Sequence, residues 1–213
     1  MKRSTRKLSR TIVRNNLYSF LNAATFEEIQ AGLKWYKEAQ DFVYEQYHEF
    51  KHSFRLIDKI ENLTPYKVAG ILSATSPNNR WEQNKKDTIT VLKAIAAGLP
   101  PESVKICTYN ANKVKAFEIG KGNIELTAKS PKTHSFAMNI GLMSPDHITI
   151  DKWHLRACAT KAHEGIQECM ESCTATEYRR LEAITAEVAH EAGYKGYEAQ
   201  AIIWIVIKRI WNR

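Results

Sequence analysis

The sequence predicts an all-α protein. Helix-start signals recur along the chain, apolar residues follow them at three- and four-residue spacing, and the only β-branched run, at residues 147–150, is short. Thr25 and Glu28 form a capping box, and the helix behind it places Ile29, Leu33, Tyr36, Ala39, Val43 and Tyr47 on one face. Thr64-Pro65 reads as an N-cap with proline at the first helical position, opening a helix through Val68 and Ala74. Asn79 or a neighbour starts the next helix, which runs through Leu92 and Ile95 and stops at Gly98-Leu99-Pro100-Pro101. A helix from about Ala111 is expected to stop at Gly120. Ser130-Pro131 opens a helix through Phe136 and Met138. Thr174 and Glu177 form a second capping box, for a helix ending near Gly193. The last helix is expected from about Tyr197 to Trp211, with Ile202, Ile203, Ile205, Val206 and Ile207 as core.

The 213 residues, 44% hydrophobic and 25% charged, suffice for one good core or two small ones in a soluble globular protein. No apolar run approaches the ~20 residues of a membrane-spanning helix. A formal charge of +8 favours polyanionic partners, because neutralised phosphates release counterions. Lys2, Arg3, Arg6, Lys7 and Arg10 precede the first acid, Glu27, and no apolar segment of a secretory signal follows them. Residues 1–20 read as a basic arm that touches DNA backbone, with a transit peptide as the alternative. Cys107, Cys158, Cys169 and Cys173 are too sparse for a disulfide framework. Cys169 and Cys173 would share a helix face, but no partners at metal-ligand spacing complete them. Reduced thiols, no metal and no cofactor are expected.

The informative stretch is residues 126–159, LTAKSPKTHSFAMNIGLMSPDHITIDKWHLRACA. It reads as a short helix, a tight hairpin, a second helix, an irregular loop and an Asp that starts a third helix. It resembles the helix-hairpin-helix (HhH-GPD) DNA glycosylase superfamily, and within it a divergent phage or bacterial branch of the endonuclease III-like proteins. Those proteins carry a hairpin LPGVGxKTA and, roughly twenty residues on, an apolar segment ending in Asp. Leu126, Lys132 and Thr133 take the hairpin's Leu, Lys and Thr. Ile148-Thr149-Ile150-Asp151 takes the place of the catalytic segment, 19 positions after Lys132. Residues 68–74 and 108–117 resemble the family's helix before the DNA-facing loop and its lead into the hairpin.

The resemblance implies two helical lobes with an active-site cleft between them. The expected division is residues 61–159 as one lobe, with the hairpin and Asp151, and residues 21–60 with 160–213 as the other. Its implied activity is excision of a damaged or modified base flipped out of double-stranded DNA, by a monomer in the cytoplasm (the nucleoid, or the host-cell cytoplasm for a phage-encoded chain). Cleaving an N-glycosidic bond builds positive charge on the sugar, and a carboxylate near C1′ stabilises it. Asp151 is the residue for this, although Asp is also a favoured N-cap anywhere. Lys132 is the family's Schiff-base nucleophile in members with AP lyase activity. Attack needs a neutral amine, which a helix N-terminus and partial burial both favour. The plainer role is a lysine that binds phosphate.

Lys129, Ser130 and Thr133 are the hairpin's candidate DNA contacts. Asn78, Asn79, Arg80 and Trp81 lie where the family fills the gap left by a flipped base, and a surface turn with one inward aromatic is the plainer reading. Trp153 and His134 are candidates for the base pocket, with core packing the commoner role for a Trp.

Three features depart from the family. Ala128 and Ser130 replace the hairpin glycines, with Pro131 removing a donor. Lys152-Trp153-His154 follows the catalytic Asp. No Cys follows Trp204, which excludes an endonuclease III-type iron–sulfur cluster. These departures keep two alternatives open: a base-modifying transferase acting on hypermodified thymine in DNA, and a non-catalytic DNA-binding protein on a glycosylase scaffold.

Overall fold

The computed structural model describes residues 8–55, 62–164 and 172–211. Among them are nine α-helices, one 3-10 turn and no strand. The helices are α1 (Arg10–Asn22), α2 (Phe26–Arg55), α3 (Pro65–Thr75), α4 (Trp81–Ala96), α5 (Asn110–Lys121), α6 (Pro131–Leu142), α7 (Lys152–Ala159), α8 (Ala175–Glu191) and α9 (Gly196–Trp211). The protein is all-α, and no helix among the described residues is long and apolar enough to cross a membrane.

Local signals set most boundaries. The Thr25–Glu28 box closes in both directions, with Glu28 N–H donating to Thr25 Oγ1 (3.3 Å) and Thr25 N–H to Glu28 Oε2 (2.9 Å). Thr64 caps α3 through Lys67 N–H (3.2 Å), and Thr174 caps α8 through Glu177 N–H (3.2 Å). The helix expected to stop at Gly120 runs on to Lys121. Gly122, at φ 82°, is the left-handed cap, while Gly120 is spent on packing against Ile95 and Ile71. Ser130 precedes α6, but its side chain makes no capping bond.

The chain divides into two compact units, Met1–Lys37 with Ser144–Arg213, and Glu38–Met143. The division falls at residue 144 where the sequence reading put it near 160, so Asp151 belongs with the terminal helices. The extended residues before Asp151 and the helix after it pack on α8, α9 and α1, which supply the neighbouring core.

The basic-arm reading fails from Arg10 onward. Ser9 caps α1 through Ile12 N–H (3.2 Å), and Val13, Leu17 and Phe20 are buried in the terminal unit's core. Arg10 and Arg14 pair with Glu187 of α8, and Arg14 also with Glu191, which Tyr18 joins. The apolar period at residues 13, 17 and 20 outweighs the basic charge, which sits on the helix's other face. Lys2, Arg3, Arg6 and Lys7 lie outside the described residues.

In the same unit Gly32 of α2 meets α9 so closely that a Cβ would stand 2.9 Å from both the Cα and the N of Ile202. Backbone cannot give as a side-chain tip can. Gly32→Ala is therefore expected to destabilise the protein by about 1–3 kcal/mol by urea denaturation, against the usual helix gain of about 1 kcal/mol from Gly to Ala.

The other unit is built around α3, in which every residue from Val68 to Thr75 is buried. A helix apolar on all sides must be surrounded, and α3 packs against α4, α5 and α6. Gly70 admits Ile119 and Leu126, and Gly141 admits Ala69, so the three helices approach closely.

Candidate active site and hairpin

In the terminal unit, Asp151 is half-buried and caps α7, its Oδ1 accepting from His154 N–H at 2.8 Å. The preceding residues are extended but pair with no strand. Side chains of α8 satisfy them instead. Glu182 Oε1 accepts from Ile148 N–H (2.9 Å), and Glu182 also holds Arg179 (2.5 Å). The Tyr178 hydroxyl donates to Ile148 O (2.9 Å) and accepts from Ile150 N–H (3.0 Å). One hydroxyl thus fixes two backbone groups immediately before Asp151. Tyr178→Phe removes both bonds and leaves two buried backbone groups unsatisfied. It is expected to lower stability by about 2 kcal/mol in thermal or urea unfolding.

On the other side of this segment lies a chain of buried hydrogen bonds. Thr149 bonds the Tyr36 hydroxyl, which donates to Gln200 Oε1 at 2.7 Å. Burial pushes the pKa of Tyr36 up; the Thr149 bond opposes this, and the nearby Asp151 charge adds to it. Tyr36 thus stands within electrostatic reach of Asp151. Its spacing marks it only as a core position on the face of α2, and nothing in the spacing of Tyr178, Glu182 or Gln200 marks them either.

His154 is wholly buried and uncharged, with burial pushing its pKa down to about 4. Its Nε2 lies 2.9 Å from Thr185 Oγ1. That hydroxyl's proton goes to Leu181 O (2.8 Å), so His154 Nε2 carries the hydrogen and donates, and Nδ1 is the bare nitrogen.

Trp153 is partly buried on the terminal core, with the Arg156 guanidinium 4.8 Å from its ring centre and the Trp211 ring set edgewise at 5.8 Å. Arg156 also lies 4.4 Å from the Trp211 ring centre. Trp153 therefore has a packing and cation–π role.

The hairpin belongs to the other unit. Residues 127–130 make a tight turn, Ser130 N–H donating to Thr127 O (3.0 Å) and Lys129 N–H to Thr127 Oγ1 (3.3 Å). The Thr133 carbonyl accepts from Ser73 of α3 (2.8 Å), which anchors α6. Lys129 is exposed, and Thr133 and His134 are half-buried on the first turn of α6. Lys132 is exposed, where partial burial had been expected, because it stands on the open first turn of α6.

The loop before α4, with the first residue of that helix, holds four more of the candidates. Asn79 is structural, its Nδ2 donating to the buried Asp87 (2.7 Å), which also accepts from Gln83 (2.8 Å) and Cys107 N–H (2.9 Å). Asn78, left-handed at φ 58°, donates to the exposed Tyr109 hydroxyl (2.7 Å). Arg80 is exposed, and Trp81 is half-buried with Lys85 5.9 Å from its ring centre.

Cys158 is buried and its thiol's pKa is pushed up by burial, the mark of an inert thiol. Cys173 precedes α8 rather than lying on a helix, and Cys169 lies outside the described residues. Among the described residues no three His, Cys, Asp or Glu side chains gather as a metal site would require.

No curated protein and no solved structure matches the chain. Over residues 1–210 it matches the model of a family of unknown function, DUF7178, and it belongs to that family.

Proposed function

We propose that this protein is a two-lobed DNA glycosylase of the helix-hairpin-helix type, excising a damaged or modified base that has been flipped out of duplex DNA. The carrying observation is the setting of Asp151. It caps α7 through His154 N–H and follows an extended segment held from α8, in family register with Lys132 on the first turn of α6. A carboxylate fixed this way costs no reorganisation when positive charge develops at C1′. The C1′–N bond breaks, its electron pair leaves with the base, and water adds at C1′. The Asp151 carboxylate stabilises the sugar cation and takes the water's proton. Where Lys132 attacks C1′ in place of water, a Schiff base forms and AP lyase cleavage follows. The protein would act as a monomer, in the cytoplasm.

A second reading keeps the fold and changes the chemistry, towards amine transfer onto an activated thymine in DNA. The hairpin favours it, since its amides close an internal turn where the glycosylases offer them to a phosphate.

The test is incubation with borohydride on duplexes carrying oxidised, alkylated, mismatched and hypermodified bases, comparing the parent with Lys132→Ala. Base release with a covalent complex that needs Lys132 is the expected result for a bifunctional enzyme. Release without trapping makes it monofunctional. An enlarged base without abasic sites favours transfer, and no change in any duplex overturns both enzymatic readings.

A further inference from the structure

Trp204, Lys208 and Trp211 follow one another at four- and three-residue spacing, so they share one face of α9. Two other helices of the terminal unit set aromatic and cationic groups against that face. Gly32 lets α2 close on Ile202, and Trp35, one turn on, meets Trp204 with ring centres 6.0 Å apart. From α7, Trp153 meets the Trp211 ring edgewise, and the Arg156 guanidinium lies against both rings. Lys208 Nζ stands 4.1 Å from the Trp204 ring centre. Four of the chain's five tryptophans thus gather in one unit, interleaved with cations.

This surface is open and positive. Trp211 is 40% exposed, and Trp35, Trp204 and Lys208 are half-buried. Arg209, on another side of α9, is taken by Glu28 (2.6 Å). Lys208 and the exposed Lys152 lie only against indole rings, and among the described residues neither has an acidic partner. A polyanion gains both charges without displacing a carboxylate.

Flat rings beside such cations match a nucleic acid whose bases are unstacked. In a duplex each base face is covered by its neighbours. Only a single strand can lay its bases on aromatic rings while its phosphates meet the lysines. Trp204 and Trp211 stand about 10 Å apart along α9 at the helical rise, the length of a few nucleotides. Their neighbours already hold the rings, so stacking on them costs little ordering. A lipid surface fits less well. A helix lying in it needs a broad exposed apolar face, and Trp211 is the one exposed large apolar side chain of α9, with Ile202, Ile203 and Ile207 in the core.

We propose that this face of α9 binds single-stranded DNA, with bases stacked on Trp211 and Trp204 and phosphates held by Lys208 and Lys152. The choice of DNA rests on the reading of this protein as DNA-acting, but not on base excision.

The test is fluorescence anisotropy of a labelled oligothymidylate about 12 nucleotides long, and of the same strand in a duplex, across a salt series. Trp211→Ala is expected to weaken single-strand binding about tenfold with the salt slope kept, and to leave duplex binding nearly unchanged. Trp211→Phe, which keeps a ring, should bind within about threefold of the parent, and urea midpoints check that both variants fold. Lys208→Met should lower the single-strand salt slope by about 0.7, and Lys208→Arg should keep it. Tyr44→Ala, which removes an exposed ring from the other unit, should change nothing. A parent that binds no single strand, a Trp211→Ala protein that binds it fully, or an equal loss in Tyr44→Ala overturns the proposal. So does tenfold tighter binding of oligouridylate, which would assign the surface to RNA, or binding to phosphatidylserine vesicles in place of the oligonucleotide. Should the single strand bind as stated while no base is released from any DNA, this surface stands and the glycosylase reading falls; base release without single-strand binding does the reverse.

Discussion

The Asp151→Asn protein is expected to fold as stably as its parent and to release base about a thousandfold more slowly. The two effects separate because Asp151 has two roles. As the cap of α7 it accepts one bond, from His154 N–H at 2.8 Å, and an Asn oxygen accepts it equally well. As the proposed catalytic group it supplies a negative charge beside C1′, which Asn lacks. Asp151→Ala should lose about 1 kcal/mol of stability as well, the usual cost of a lost cap. Urea midpoints and single-turnover base release on the duplex identified by trapping measure the pair of effects. A variant with full release would make Asp151 a cap and nothing more. A variant that loses stability and release together would remove the argument from charge.

Stability should fall by about 3 kcal/mol as the pH drops from about 6.5 to about 4, on account of His154 alone. The ring is wholly buried and desolvation pushes its pKa down to about 4 from an ordinary 6.5. In that window the unfolded chain binds a proton that the folded chain does not, so acid favours unfolding and the loss is complete below about 4. Above pH 6.5 both states are neutral at this residue and the contribution vanishes. Glu191, held below its usual range first by its hydrogen bond from Arg14, works in a more acidic window, and so can be told apart. His154→Leu keeps an apolar group in the site and leaves the Thr185 hydroxyl its bond to Leu181 O. The difference between parent and variant in urea denaturation from pH 7.5 to 4.5 therefore isolates the histidine. Equal pH dependence in the two proteins would mean that the folded state protonates His154 without cost.

The sequence by itself determined the helices and where most of them start. Thr25, Thr64, Thr174 and Asp151 all accept the capping bonds their neighbours imply, since a cap is settled within four residues. The apolar periods of α2 and α9 were equally legible, and Asp151 could be singled out. What the chain order hides is what meets what. The basic start was read as an arm, yet α1 is bound by Glu187 and Glu191 more than 170 positions away. Gly120 looked like a stop because its partner, Ile95, is visible only in the fold. Tyr178 and Glu182 hold the segment before Asp151 across about 30 positions, and Tyr36 comes to Thr149 from over 100 positions away. Caps and periods are local and short-ranged, so sequence carries them. Burial, desolvation and the pairing of distant polar groups exist only after the chain has packed, so tertiary structure alone decides them.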